Sequence, residues 1–170
     1  RGDRQSLTAL LQKIREKVPG VILRTTLITG FPGETEEDFT QLAEFIKEIR
    51  FDRLGCFAYS QEEDTPAAGM PDQIDEETKL ARQEALMELQ QEIAFEKSES
   101  MKGRILDVLI EGKVADEPAY VGRTYMDAPG VDGLIFVNTG QLLMSGDFVR
   151  VKVVGASEYD LIGEVYHEFT

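Results

Sequence analysis

With 170 residues, 42% of them hydrophobic and 29% charged, the chain can bury a core in one domain or two small ones and is too apolar for a disordered tail. Its 32 acidic and 18 basic side chains leave a formal net charge of −14, which argues against a self-sufficient nucleic-acid binder, because phosphate backbones reward Lys and Arg. A single cysteine, Cys56, excludes an internal disulfide and makes the cytoplasm the natural compartment, and no apolar run approaches the length of a membrane span.

The first predicted element is a helix. Leu7, Leu10, Leu11, Ile14 and Val18 recur at three- and four-residue steps, Ser6 can cap the start, and Pro19-Gly20 ends it. The β-branched run Val21–Thr29 has little alternation, which predicts a parallel strand covered on both faces. Arg24 interrupts it, and a buried guanidinium there needs either a protein carboxylate or an anionic ligand. Beyond Gly30-Phe31-Pro32-Gly33, Thr35 with Asp38 three residues on predicts the start of a second helix, buried through Phe39, Leu42, Phe45, Ile46 and Ile49. Leu54–Tyr59 reads as a second buried strand with Cys56 packed inside it. Helix, strand, helix, strand predicts a βα repeat with a parallel sheet, in a doubly wound or a barrel arrangement. Two strands do not close a barrel, so the α/β part reads as incomplete.

Residues 60–74 form a polar loop, and residues 75–98 a long helix with a thin stripe of Leu80, Leu86, Leu89 and Ile93, suited to bridging domains. Short β-rich runs then follow: Ala119–Gly122, Ile105–Ile110 before it, and Leu134–Val137, Phe148–Val154 and Leu161–Val165 after it, with turn signals between them. About five strands in so short a stretch predict a small five-stranded antiparallel barrel of OB-like size. The expected division is 1–74, 75–98 and 99–170, with net charges of −8 over residues 1–98 and −6 over residues 99–170. That acidity suits a basic protein partner, although an acidic surface also serves solubility alone.

Gly30-Phe31-Pro32-Gly33-Glu34-Thr35 lies between a strand and a helix, where ligands of α/β folds collect, but it has neither Walker-loop nor dinucleotide spacing. Its residues fit a ligand loop or a plain tight turn equally well. One cysteine and one distant histidine, His167, cannot hold zinc or an iron–sulfur cluster, and the Glu34–Asp38 group, Asp127 and Asp132 show no metal spacing. No metal ligand and no catalytic residue is assigned.

Three ordered segments carry a family resemblance. Leu23–Phe39, with its Gly-Phe-Pro-Gly-Glu-Thr core, and Phe51–Ser60, continuing through Glu63-Asp64-Thr65-Pro66, resemble the last strands of radical S-adenosylmethionine (radical SAM) methylthiotransferases. Met87–Ile93 fits their following helix, and the β-rich tail resembles their TRAM domain. Gly122–Gly133 resembles the branch that modifies an aspartate of a small-subunit ribosomal protein, with one departure at Gly130, where that branch is expected to have glutamate.

The resemblance implies the C-terminal portion of an open, TIM-like radical SAM barrel followed by TRAM. It implies S-adenosylmethionine and two [4Fe-4S] clusters in the complete enzyme, with none held tightly by this chain, which should be inactive alone. A 5′-deoxyadenosyl radical would abstract hydrogen from the aspartate β-carbon before a methylthio group is installed. Cofactor-side candidates are Arg24, Ile28, Gly30, Pro32, Phe57 and Tyr59. Arg24 would face the methionine carboxylate, and backbone near Ile28 and Phe57 would hold the adenosine. Asp127 and Asp132 are candidates for recognising a basic ribosomal protein; direct nucleic-acid binding is expected to be weak or absent, and no membrane association is expected. A tRNA-modifying relative and a non-catalytic acidic binding module are the alternatives. The open edge of the incomplete barrel should either self-associate or be covered by the long helix.

Overall fold

The computed structural model describes residues 3–157 and 159–167. The chain divides into two compact units, Arg1–Ile93 and Ala94–Thr170.

The first unit contains α1 (Arg4–Lys17), β1 (Arg24–Thr29), α2 (Glu36–Ile49) and β2 (Arg53–Ala58). α1 is capped by Asp3 rather than Ser6: Asp3 accepts the Ser6 amide while the Ser6 hydroxyl accepts the Asp3 amide. Ser6 is therefore the third residue of a capping box. Thr35 and Asp38 form the expected box at the start of α2.

β1 and β2 pair in parallel, Arg24 opposite Arg53, Leu27 opposite Cys56 and Ile28 opposite Phe57. One face of this pair packs on helices: Leu27, Leu54 and Cys56 join Ile46 of α2, and Leu23 and Leu54 join Leu11, Ile14, Phe45 and Ile49. The other face does not match the expectation of a strand covered on both sides. Arg24, Thr26 and Ile28 alternate as exposed positions along β1, and Phe57 of β2 is exposed with them. Arg24 is accordingly a surface residue and not a buried guanidinium. Beyond Arg24 the β-branched run hides this alternation, because Thr25, Leu27 and Thr29 differ little in polarity pattern from the exposed Thr26 and Ile28.

A one-turn 3-10 helix, Pro66–Gly69, lies in the polar loop, and α3 (Glu76–Ser100) runs across the division between the units. Leu80 is about half exposed, whereas Lys79, Arg82, Leu86, Gln90 and Ile93 are buried at steps of three and four. The inward stripe of α3 is thus largely polar, and its amides satisfy backbone. Gln83 donates to the Cys56 carbonyl at 2.8 Å and Gln90 to the Phe51 carbonyl at 2.9 Å. Arg53 and Tyr59 direct their amides to Leu23 and Thr29, so the intervening even-numbered positions of β2 turn their backbone groups away from β1. Gln83 therefore occupies the free edge of β2.

The second unit is a closed barrel of β3 (Ile105–Lys113), β4 (Ala119–Arg123), β5 (Ile135–Asn138), β6 (Phe148–Ser157) and β7 (Asp160–Val165), in the order β3-β4-β5-β7-β6. Four seams are antiparallel as expected, and the β5–β7 seam is parallel. That order is what a five-stranded barrel needs when its third and fifth strands meet to close it. Irregularities between Ile110 and Gly112 and between Val153 and Gly155 add the bending that closure demands. Val108, Ile110, Tyr120, Ile135, Val137, Val151, Val153 and Leu161 fill the interior. Gly163 must stay glycine, because a Cβ there would overlap Val151.

Candidate functional site

The carboxyl ends of β1 and β2 are held by the first two turns of α3. Thr29, fully buried, donates its hydroxyl to the Lys79 carbonyl at 3.1 Å. Gly30 follows with φ of 72°, and a Cβ at that position would overlap the Lys79 stem. Only glycine therefore permits both the left-handed turn and the close approach of α3. The Lys79 ammonium reaches the Tyr59 carbonyl at 2.9 Å and Glu76 at 2.7 Å, tying the residue after β2 to the first turn of α3.

Glu34 completes the loop. Its Oε1 accepts the Gly30 amide at 3.0 Å and Arg82 Nη1 at 2.7 Å, and Arg82 Nη2 reaches Glu36 at 2.5 Å. Hydrogen bonding to Glu36, followed by Glu34, holds the Arg82 guanidinium above its ordinary range against the opposing effect of burial. The Gly33 amide donates to the Asp72 carbonyl, and the Glu34 amide to Phe31. The positive end of α2 is meanwhile occupied by its own acids, Glu36, Glu37 and Asp38. Bonds from the Thr35 backbone, then its hydroxyl, hold the Asp38 carboxyl below the usual range. This helix end therefore does not offer the anion site that its place after a strand would suggest.

The open face of β1–β2 is graded in polarity. Arg24 and Arg53 pair laterally at one end, Thr26 and Gly55 in the middle, and Ile28 and Phe57, 55% and 61% exposed, at the carboxyl end. Four residue steps lead from Arg24 to Ile28, about 13 Å of extended chain. Phe31 meets Tyr59 edge to face with ring centroids 5.5 Å apart. The Tyr59 hydroxyl is buried without a hydrogen-bond partner among the described residues.

Of the cofactor-side candidates, Ile28 and Phe57 are lateral neighbours, while Gly30, Pro32 and Tyr59 lie in the segments that follow the two strands. Arg24 sits on the same face at its far end. A cationic end, a small-residue middle and an apolar end fit an elongated ligand with a carboxylate at one end and a flat ring at the other. An iron–sulfur cluster does not fit: Cys56 is the lone thiol, buried, with burial pushing its pKa up, and among the described residues no group of three or more potential ligands could hold a metal. Sequence reasoning missed Glu34, Lys79 and Arg82. Two basic residues three apart on a helix face shared with Leu86, Gln90 and Ile93 were the available signal.

In the barrel, the turn after β4 carries the partner-side candidates. Asp132 accepts the Ala128 amide at 2.8 Å, so its carboxylate braces the turn. Asp127 is half-buried, and its amide bonds to the Thr124 carbonyl. Tyr125 and Val131 on either side are 64% and 71% exposed. Leu142 and Met144 before β6 and Phe148 at its start are exposed, and sequence reasoning did not single them out as partner-side candidates.

Residues 103–165 match the family model of the TRAM domain. Over 163 residues the chain is 59% identical to a protein of Lachnoclostridium phytofermentans named ribosomal protein uS12 methylthiotransferase RimO, covering 96% of this chain and 37% of that relative. Proteins of the same name from Pelotomaculum thermopropionicum and Clostridioides difficile are each 50% identical, over 96% and 91% of this chain and 37% and 35% of theirs. The chain thus spans little more than a third of the length of the curated relatives it matches. Among the described residues no helix is long and apolar enough to cross a membrane.

Proposed function

Since the chain matches the C-terminal 37% or so of RimO-type methylthiotransferases, TRAM domain included, we propose that it is the corresponding part of an enzyme that methylthiolates an aspartate of ribosomal protein uS12. The observation that carries this reading is the 59% identity extending over 96% of the chain, through both units. The whole protein would replace one hydrogen on the aspartate β-carbon with a methylthio group, acting in the cytoplasm on a basic small-subunit protein.

This chain contributes two surfaces to that reaction. The open β1–β2 face is the cofactor wall, with Arg24 toward a carboxylate and Ile28 and Phe57 toward the adenosine. When bound there, S-adenosylmethionine supplies the radical that starts the chemistry. The clusters of the resemblance find no ligands here and belong to residues outside this chain. The barrel contributes the protein-recognition surface, with Asp127, Asp132 and the exposed Tyr125 and Val131 clustered in one turn. Its −6 charge over residues 99–170 favours a basic partner and disfavours tRNA.

The test is direct. Full-length reconstituted protein, S-adenosylmethionine and a reductant are incubated with purified uS12, and peptide mass spectrometry looks for a methylthio group on one aspartate. Unmodified uS12, with cluster content and reductant verified, would refute the reading.

A further inference from the structure

We propose that Arg82 and Glu34 are positioning residues for S-adenosylmethionine, setting the Gly30–Gly33 loop at the carboxyl ends of the two strands through α3. The inference rests on the reading of the open β1–β2 face as the cofactor wall and names what holds that wall's upper edge in place. Glu34 Oε1 is shared between the Gly30 amide and Arg82 Nη1, so one carboxylate oxygen ties the turn after β1 to α3. Both side chains are nearly solvent-free, 8% exposed for Arg82 and 11% for Glu34. Arg82 Nη1 also faces the Glu34 carbonyl at 3.3 Å, fixing backbone and side chain of the same residue.

Lys79, one turn earlier on the same face, makes the second tie. Its stem lies against Gly30 and its ammonium on the Tyr59 carbonyl, so the two strand ends are clasped by one helix at a fixed spacing. Phe31 also meets the Tyr59 ring and the Gly33 amide bonds to the Asp72 carbonyl, but Phe31 is exposed and Pro32 only half-buried. A ligand lying across Ile28 and Phe57 meets a loop whose position depends on Arg82 and Glu34, although neither side chain lies on the open face. Their loss should weaken cofactor binding more than it slows the chemical step, because preorganisation is removed and no reacting group is touched.

The experiment uses full-length reconstituted enzyme and reads reductive cleavage of S-adenosylmethionine. Glu34→Ala removes the acceptor for Gly30 and Arg82, Glu34→Gln keeps an oxygen there, and Arg82→Lys keeps the charge but loses the two-pronged contact. Glu34→Ala should raise KM for S-adenosylmethionine on the order of tenfold, the worth of one buried hydrogen bond, with kcat within about twofold. Glu34→Gln should recover most of that loss. Arg82→Lys should show the same KM-selective pattern, and it decides the matter if Glu34→Ala does not fold. Wild-type KM in whichever of Glu34→Ala or Arg82→Lys is folded by its melting curve overturns the proposal, as does an equal fall in kcat with KM unmoved. A wild-type enzyme that cleaves no S-adenosylmethionine overturns the cofactor-wall reading and this proposal with it, whereas normal wild-type turnover with unaffected variants overturns this proposal alone.

Discussion

Arg82 Nη1 and Glu34 Oε1 lie 2.7 Å apart with both side chains almost wholly withdrawn from water, and the same oxygen accepts the Gly30 amide. A buried pair of this kind is costly to split. Arg82→Met should destabilise the first unit by about 3–5 kcal/mol, since it strands the Glu34 carboxylate. Adding Glu34→Gln should restore much of that loss, because the amide oxygen still serves Gly30 and no charge is left alone. Urea titrations of the single and double variants measure the non-additivity, and strictly additive losses would show that the pair is not coupled.

The helix caps give a pH dependence with a defined sign. Asp3, Asp38 and Asp75 are each held below the usual carboxylate range, chiefly by the backbone amides of Ser6, Thr35 and Thr78 respectively. A depressed folded-state pKa contributes stability above the unfolded-state value, near pH 3.9, and that stability disappears as pH falls through the folded-state value. Denaturant midpoints should therefore fall as pH is lowered from 5 toward 2. The triple variant Asp3→Asn, Asp38→Asn, Asp75→Asn should flatten that fall; a slope equal to wild type would assign the acid loss to other carboxylates.

Cys56 reports on the integrity of the first unit. It is 5% exposed and burial raises its thiol pKa, so the nucleophilic thiolate is scarce in the native state. A thiol reagent at neutral pH should label it only as fast as the unit opens, and Arg82→Met should accelerate labelling in proportion to its loss of stability. Instant labelling of native protein would contradict the packing of Cys56 against the helices.

Much of this was legible in the sequence where one period dominates. The α2 stripe and its Thr35–Asp38 box follow from spacing alone, and every barrel strand is signalled by a short β-rich run between turns. The open face of β1 was not legible, because Thr and Ile suit both exposed and covered strand positions, and a run that alternates in burial need not alternate in hydropathy. The buried face of α3 was obscured for the opposite reason. Lys79, Arg82 and Gln90 look like solvent residues until their partners, the Tyr59 carbonyl, Glu34 and the Phe51 carbonyl, are brought to them by the fold. The parallel β5–β7 seam is a matter of strand order, which local pattern does not encode.

The barrel turn carries two aspartates, and substitution can test each of them separately. Asp132 accepts the Ala128 amide at 2.8 Å, in the manner of an Asx brace, so Asp132→Ala should cost the second unit about 1 kcal/mol. Asp127 is half-buried, two residues after the 64%-exposed Tyr125, and removing its charge tests whether this turn meets a basic partner. Asp127→Asn keeps the shape of the side chain and removes only the charge. With full-length enzyme and purified uS12, it should lower the association rate and flatten its salt dependence. Asp132→Asn retains an acceptor oxygen for Ala128 and should sit near wild type in stability, so any loss of association it shows is also electrostatic. If Asp127→Asn binds at the wild-type rate at low salt and melts lower, the turn is structural, and the recognition surface must be sought around the exposed Leu142, Met144 and Phe148 instead.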